Sequence, residues 1–214
     1  MQSASEYINK TESALRKLFE GIDSYIEILR KEPTTCFISS SEDEAVRDTQ
    51  RKMWLENNKE VIAASLQAQR NFVAESFAQA TLCGAVLQVA AKALEIYSMN
   101  NVIPLQWQGV IKPGSKAVPF CVGRSVRGIP LGLVIYSARN QHTHFEDEAL
   151  REPNNSIFEQ LAINHGYSSE TPFRDPAFDL NNPLIRSFSS NVMALLEWRT
   201  YDDYEKDMNV LLAI

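Results

Sequence analysis

Apolar residues recur at steps of three, four and seven through most of this chain, the spacing that gathers side chains on one face of a helix. From Ser5 to Arg30 the positions Ile8, Leu15, Leu18, Phe19, Ile22, Ile26 and Leu29 follow it, and Pro33 closes the run. The connector TTCFISSSED comes next. In it Ser41, followed three residues later by Glu44, has the form of a capping box with Glu42 and Asp43 in the first turn. The pattern then predicts a long helical region to Ser98, broken at Asn57-Asn58, where LENNKE has no apolar face. Its second half carries a stripe at Leu82, Val86, Val89, Ala93 and Ile96. Ala78, Ala80, Gly84, Ala85, Ala90 and Ala91 make that half thin, so neighbouring helices can approach it closely.

From Asn101 to Pro130 the pattern stops, and Pro104, Pro113-Gly114, Pro119 and Gly128 punctuate an irregular stretch. A short strand within VIPLQWQGVI is one expectation for it. Helical character resumes at Leu131 in LGLVIYSARNQ, apolar at first and polar from Arg139. Another short helix is expected after Asn154, with Ile157, Phe158 and Leu161 inward. A loop from His165 to Asn181 contains Pro172 and Pro176. Asn182-Pro183 reads as a cap and first turn for a helix turning Leu184, Phe188, Val192, Leu195 and Leu196 inward, and Tyr201 to Ile214 continues helical. The expected fold is all-α: a single domain forming an antiparallel helical bundle. Residues 1–70 are its N-terminal extension, 71–214 its core, and the irregular loop spans about 101–130.

The 214 residues are 44% hydrophobic and 22% charged, ordinary for a globular chain and against overall disorder. Cys36, Cys83 and Cys121 are too few and too scattered for a disulfide framework. No secretory leader is apparent in MQSASEYINKTESALRK, and Gln88, Lys92 and Glu95 interrupt the richest apolar stretch. The expectation is a cytoplasmic protein with reduced thiols and no membrane span.

A net charge of −6 speaks against a general nucleic-acid coat. The average conceals a polarity. No acidic residue occurs from Ile96 to Phe145, whereas Lys112, Lys116, Arg124, Arg127 and Arg139 fall there. That stretch carries +5 and the remainder −11. An acid-free basic segment suits a phosphate chain, because a nearby carboxylate repels an anion.

Two of the three histidines, His142 and His144, lie in the same stretch, close to Arg139 and Asn140. Arginine offers a permanent charge and a forked donor set for phosphate oxygens. Histidine moves protons near neutrality, and asparagine can orient either a phosphate or an imidazole. On an ideal helix five residues rotate by about 140°. Joint action of Arg139 and His144 therefore requires the helix to end or distort between them. Alternatives stay open: Arg139 pairing with Glu146 or Asp147, His144 as a polar surface residue, and His142 as auxiliary. A metal site from His142, His144, Asp147 and His165 lacks a third ligand fixed by spacing, and Cys121 lacks an activating context for a nucleophile. Neither metal nor cofactor is expected. Trp54, Trp107 and Trp198 read as core or interface anchors.

Arg139, Asn140 and His144 match the R-N-x-x-x-H form of the R-x(4–6)-H signature, and the chain here resembles the HEPN domain family (higher eukaryotes and prokaryotes nucleotide-binding). The apolar helix GLVIYSA before the motif and the small-residue helix ESFAQATLCGAVLQVAAKAL extend the likeness over roughly Asn71 to Ala162. The resemblance implies a small helical bundle that dimerises with both motifs in one cleft. It implies a metal-independent endoribonuclease cleaving RNA by its own 2′-hydroxyl, of the kind found as toxins with antitoxin partners or in antiviral defence systems. Catalytically inert HEPN modules that bind a nucleotide or a protein are the alternative. In the ribonuclease reading His144 is acid or base, Arg139 holds phosphate and transition-state charge, and Asn140 orients. Arg124 and Arg127 are outer phosphate contacts, with His142 in reserve. One toxin subgroup has a tyrosine two residues after the motif histidine, where a partner nucleotidyltransferase adds AMP. This chain has Glu146 there, which puts that regulation in doubt.

Overall fold

The computed structural model describes residues 3–31, 35–146, 150–163 and 174–214. Pro33, Asp147, Glu148, His165 and Pro172 lie outside the described residues. The described residues are mostly helical. In chain order they form α1 (Ala4–Arg30), α2 (Glu44–Asn57), α3 (Lys59–Tyr97), α4 (Leu131–Thr143), α5 (Asn154–Ile163), α6 (Ser189–Leu195) and α7 (Tyr201–Leu212). The chain divides into two compact units, Met1–Gly21 with Gln79–Ile214, and Ile22–Ala78. The expected boundary at residue 70 thus falls inside the second unit, and most of α1 belongs with the helices that carry the motif.

In the first unit α1 runs antiparallel to α3. Tyr7 Oη donates to Val89 O at 3.1 Å, and farther along α1 Gly21 lies so close to Leu82 that a Cβ would meet its side chain at 2.9 Å. Tyr7, Ile8, Leu15 and Phe19 of α1 are buried. The buried side of α3 is wider than the predicted stripe. Cys83, Val86, Leu87, Ala90, Ala91, Ala93 and Leu94 are inside, Leu82 and Val89 are half-buried, and Ile96 is 50% exposed. Small residues explain the shift, because they let neighbours approach the helix on a side without large side chains.

Helix α4 lies at the centre of this unit, buried at eight of its thirteen positions. It packs against α5, α6 and a one-turn 3-10 helix at Val118–Phe120. Pro130 offers no side-chain cap. The first amides of α4 instead donate to the preceding loop, Leu131 N to Arg124 O at 2.9 Å and Gly132 N to Val122 O at 3.0 Å. These bonds satisfy groups that a helix start otherwise leaves open. Ile157, Phe158 and Leu161 of α5 are fully buried, as expected.

The segment 101–130 is irregular, but its strand is elsewhere than expected. VIPLQWQGVI contains a 3-10 turn at Leu105–Trp107 with Trp107 buried. The strands are β1 (Ser125–Val126) and β2 (Ile129–Pro130), paired antiparallel. Arg127 at φ 50° and Gly128 at φ 80° join them. Two left-handed residues in succession make a hairpin turn whose twist matches its strands.

The Asn182-Pro183 signal also misplaces an element. Asn182 Oδ1 accepts from Leu184 N at 3.1 Å, closing a local turn, and α6 begins only at Ser189. Leu184 is 89% exposed and Leu195 half-buried, while Phe188, Val192 and Leu196 are inside. Helix α7 is a separate helix, started by a capping box between Thr200 and Asp203. Its Tyr204 packs edge-on to Trp198 at 5.1 Å and near Phe19 at 6.3 Å. The Tyr204 hydroxyl is buried with no hydrogen-bond partner among the described residues. An unpaired buried hydroxyl opposes folding, so Tyr204→Phe is expected to raise stability by about 1 kcal/mol. Thermal unfolding checks this; a lower melting temperature would show that the hydroxyl is satisfied.

In the second unit Asp43, rather than Ser41, caps α2, accepting from Ala45 N at 2.8 Å and Val46 N at 3.3 Å. The break at Asn58 is where the sequence predicts it. Asn58 donates its backbone N–H and side-chain amide to Trp54 O, ending α2 before α3 begins. Helix α2 has no buried residue, and Trp54 rests against Phe37 at 5.9 Å. Among the described residues α3 is the one helix long and apolar enough to cross a membrane, and 56% of that apolar window is buried in the fold.

Candidate functional site

The motif sits at the C-terminal end of α4, and the helix ends inside it. Thr143 is the last helical residue; His144 is the C-cap, at φ −119° and ψ 31°, and its N–H reaches Asn140 O at 3.0 Å. The helix thus ends between Arg139 and His144. His144 is exposed and lines a cleft of about 370 Å³ between the end of α4, the start of α5 and the loop before α6.

Gln141, one turn before His144, holds the far wall. Its Nε2 donates to Arg186 O at 2.8 Å and its Oε1 accepts from Phe188 N at 3.0 Å. Gln141 is 5% exposed, so this two-point clamp is shielded from water. Arg186, an exposed residue, lines the same cleft. Asn155, Asn181 and Asn182 add amides, and Phe145, Leu180 and Ile185 are among its apolar walls. Gln141 and Arg186 were not among the sequence candidates. Gln141 carried a signal, a polar residue on the inward side of an apolar helix. Arg186 carried none.

Asn140 turns to the neighbouring helix. Its Nδ2 donates to Asn154 Oδ1 at 3.1 Å, the same oxygen that accepts from Ser137 Oγ at 3.0 Å. Arg139 is half-buried on the side of α4 that includes Tyr136, with its guanidinium carbon 5.8 Å from that ring's centre. Its Nε is buried without a hydrogen-bond partner among the described residues. Arg139 is not among the residues lining the cleft. The alternative pairing of Arg139 with Glu146 does not occur, while Asp147 lies outside the described residues.

His142 is part of the interior. Its ring lies close against Gly84 of α3, where a Cβ would meet the imidazole at 2.2 Å. Nδ1 is 2.9 Å from Ser187 Oγ, Ser187 Oγ is 3.0 Å from Ser189 Oγ, and Ser189 donates to Ala80 O at 2.6 Å. Burial holds the His142 pKa below its ordinary value of 6.5. The sign follows. A folded-state value below the unfolded one gives stability that is complete above about pH 6.5 and is lost as pH falls through the folded value. In urea titrations at pH 8 and pH 5, His142→Gln is expected to lose less stability on acidification than the wild type. An equal loss would remove His142 from the acid response.

Arg124 and Arg127, expected to contact phosphate, are engaged within the fold. Arg124 donates to both carboxylate oxygens of Asp207, at 3.1 and 2.9 Å, and to Leu196 O at 2.8 Å. Arg127 donates to Asp175 at 2.8 Å and to Leu161 O, and lies 4.8 Å over the Phe178 ring. Their charge is met by acids from beyond the acid-free segment. Lys112 and Lys116 remain exposed. Burial pushes the Cys121 thiol up to about 11 and the Cys83 thiol up to about 12, which keeps both protonated and unreactive. Trp107 and Trp198 are buried anchors. Among the described residues no three His, Cys, Asp or Glu side chains are grouped to hold a metal ion.

Comparison with family models, with curated proteins and with solved structures finds no match to this chain.

Proposed function

We propose that this protein is a HEPN-like endoribonuclease, cytoplasmic, cleaving RNA through attack of the 2′-hydroxyl on the adjacent phosphate. The observation that carries the reading is the end of α4 at Thr143, after which His144 lines an open, amide-rich cleft. The attack needs a base at the 2′-oxygen and an acid at the departing 5′-oxygen, and the products are a 2′,3′-cyclic phosphate and a 5′-hydroxyl. One imidazole cannot hold both positions at once. Two protomers supply two. Arg139 does not line the cleft of its own His144, so their joint action also calls for a paired protomer. The half-open side of α4 with Tyr136, Arg139 and Asn140 is the proposed meeting surface. There Arg139 stabilises the charge of the phosphorane, and Asn140, steadied by Asn154, orients the pair. A toxin or defence effector held by a partner protein is the biological setting this chemistry suits.

The alternative is an inert HEPN-like module that binds a nucleotide or a protein. The engagement of Asn140 with Asn154 favours it, since a committed amide is less available to a substrate. One experiment separates the two. Purified protein, sedimented at the assay concentration and incubated with RNA in EDTA, is expected to be dimeric and to leave cyclic phosphate ends. Intact RNA favours the module, and a fully active monomer contradicts the two-histidine mechanism.

A further inference from the structure

We infer that the cleft beside His144 is a nucleotide-binding site in which Arg186 is the phosphate-holding cation. The inference deepens the ribonuclease reading and rests on it for the choice of a nucleic-acid ligand. Arg186 makes no ion pair with any described residue, although Arg124, Arg127 and Arg174 are each paired with a carboxylate. Its backbone is fixed on both sides. Gln141 holds the Arg186 carbonyl and the Phe188 amide, and Ser187 between them is tied to His142 and Ser189. An exposed guanidinium on an anchored backbone loses less freedom on binding than one on a loose loop.

The other walls suit the rest of a nucleotide. The volume of about 370 Å³ falls within the range of small-ligand sites. Phe145 and Ile185 offer apolar surface for a base, and Asn155 an exposed amide for its edge. The Asn182 amide is committed to Pro176 O and Leu184 N, and so shapes the wall. The permanent charge of Arg186 is the cation that a phosphate would meet at this cleft. A forked guanidinium binds a phosphodiester through two oxygens, a geometry that an ammonium does not reproduce. Arg186 thus secures the ground state, and Arg139 acts on the developing charge.

The probe is a fluorescein-labelled 2′-deoxy tetranucleotide, which cannot undergo 2′-hydroxyl attack and so reports binding alone. Anisotropy at about 0.15 M salt, where the screening length is about 8 Å, is expected to show Arg186→Ala weakening it by about tenfold or more, with Arg186→Lys recovering part of the loss. Lys116→Ala removes an equal charge elsewhere and is expected to change affinity less than about twofold. Because Gln141 holds the backbone of residue 186, each variant keeps the clamp, which far-ultraviolet circular dichroism verifies. Equal losses in Arg186→Ala and Lys116→Ala, or no measurable binding by the wild type, would overturn the proposal. The two readings fail separately. Binding that depends on Arg186 without any RNA cleavage sinks the ribonuclease and keeps the site. RNA cleavage with KM unchanged in Arg186→Ala does the reverse.

Discussion

His144→Ala is expected to lower RNA cleavage by about 10²- to 10⁴-fold, the range a positioned proton-transfer group contributes, while leaving the fold intact. The second half of that expectation comes from its position. His144 is exposed and belongs to the helix only as its cap. Its backbone N–H, which any residue supplies, makes the bond to Asn140 O. At an exposed position the expected stability change is about 0.5 kcal/mol, which urea unfolding of His144→Ala checks. His142→Ala offers the contrast. Its imidazole is wedged between Gly84 and Ser187, so its loss acts on packing. A protein whose activity falls with His142 but not with His144 would have its chemistry wrongly placed.

Gly132→Ala carries the largest expected effect on stability. A Cβ at position 132 would lie 2.4 Å from the carbonyl oxygen of Phe120, and 3.1 and 3.2 Å from its C and Cα. All three are backbone atoms, so no side-chain rotation relieves the clash. Alanine is the better helix former by about 1 kcal/mol, and overpacking a tight core costs about 1–3 kcal/mol or more. Here the overpacking also strains the Gly132–Val122 and Leu131–Arg124 bonds that start α4. The expected net loss is about 2 kcal/mol or more, read as a lower urea midpoint. Since α4 carries Arg139 and Asn140 and is capped by His144, cleavage is expected to fall along with it. A midpoint equal to that of the wild type would mean that the 118–120 turn moves freely.

What could be read from the sequence was local. The stripes of α1 and α5, the break at Asn58, the end of regular helix after Tyr97 and the start of α4 at Leu131 are set by periodicity and punctuation within a few residues. What escaped depended on neighbours distant in sequence. Arg124 and Arg127 look like free cations until Asp207 and Asp175 arrive from beyond the acid-free segment. The apparent +5 stretch is thereby reduced to Lys112, Lys116 and Arg139 as its uncommitted charges. Arg186 entered the site because Gln141 grips its backbone across 45 residues, a bond no spacing rule foretells. Asn182-Pro183 misled for a local reason: the asparagine caps a turn as well as it caps a helix.

The ribonuclease reading turns on whether His144 drives attack by the 2′-hydroxyl. The most direct measurement is single-turnover cleavage, in EDTA, of an RNA and of the same RNA with one 2′-deoxy nucleotide at the mapped cleavage position. The wild type is expected to cut the RNA to a 2′,3′-cyclic phosphate, to leave the deoxy-substituted bond intact, and to lose the cut in His144→Ala. Cleavage of the deoxy-substituted bond, or undiminished cleavage by His144→Ala, would contradict the account.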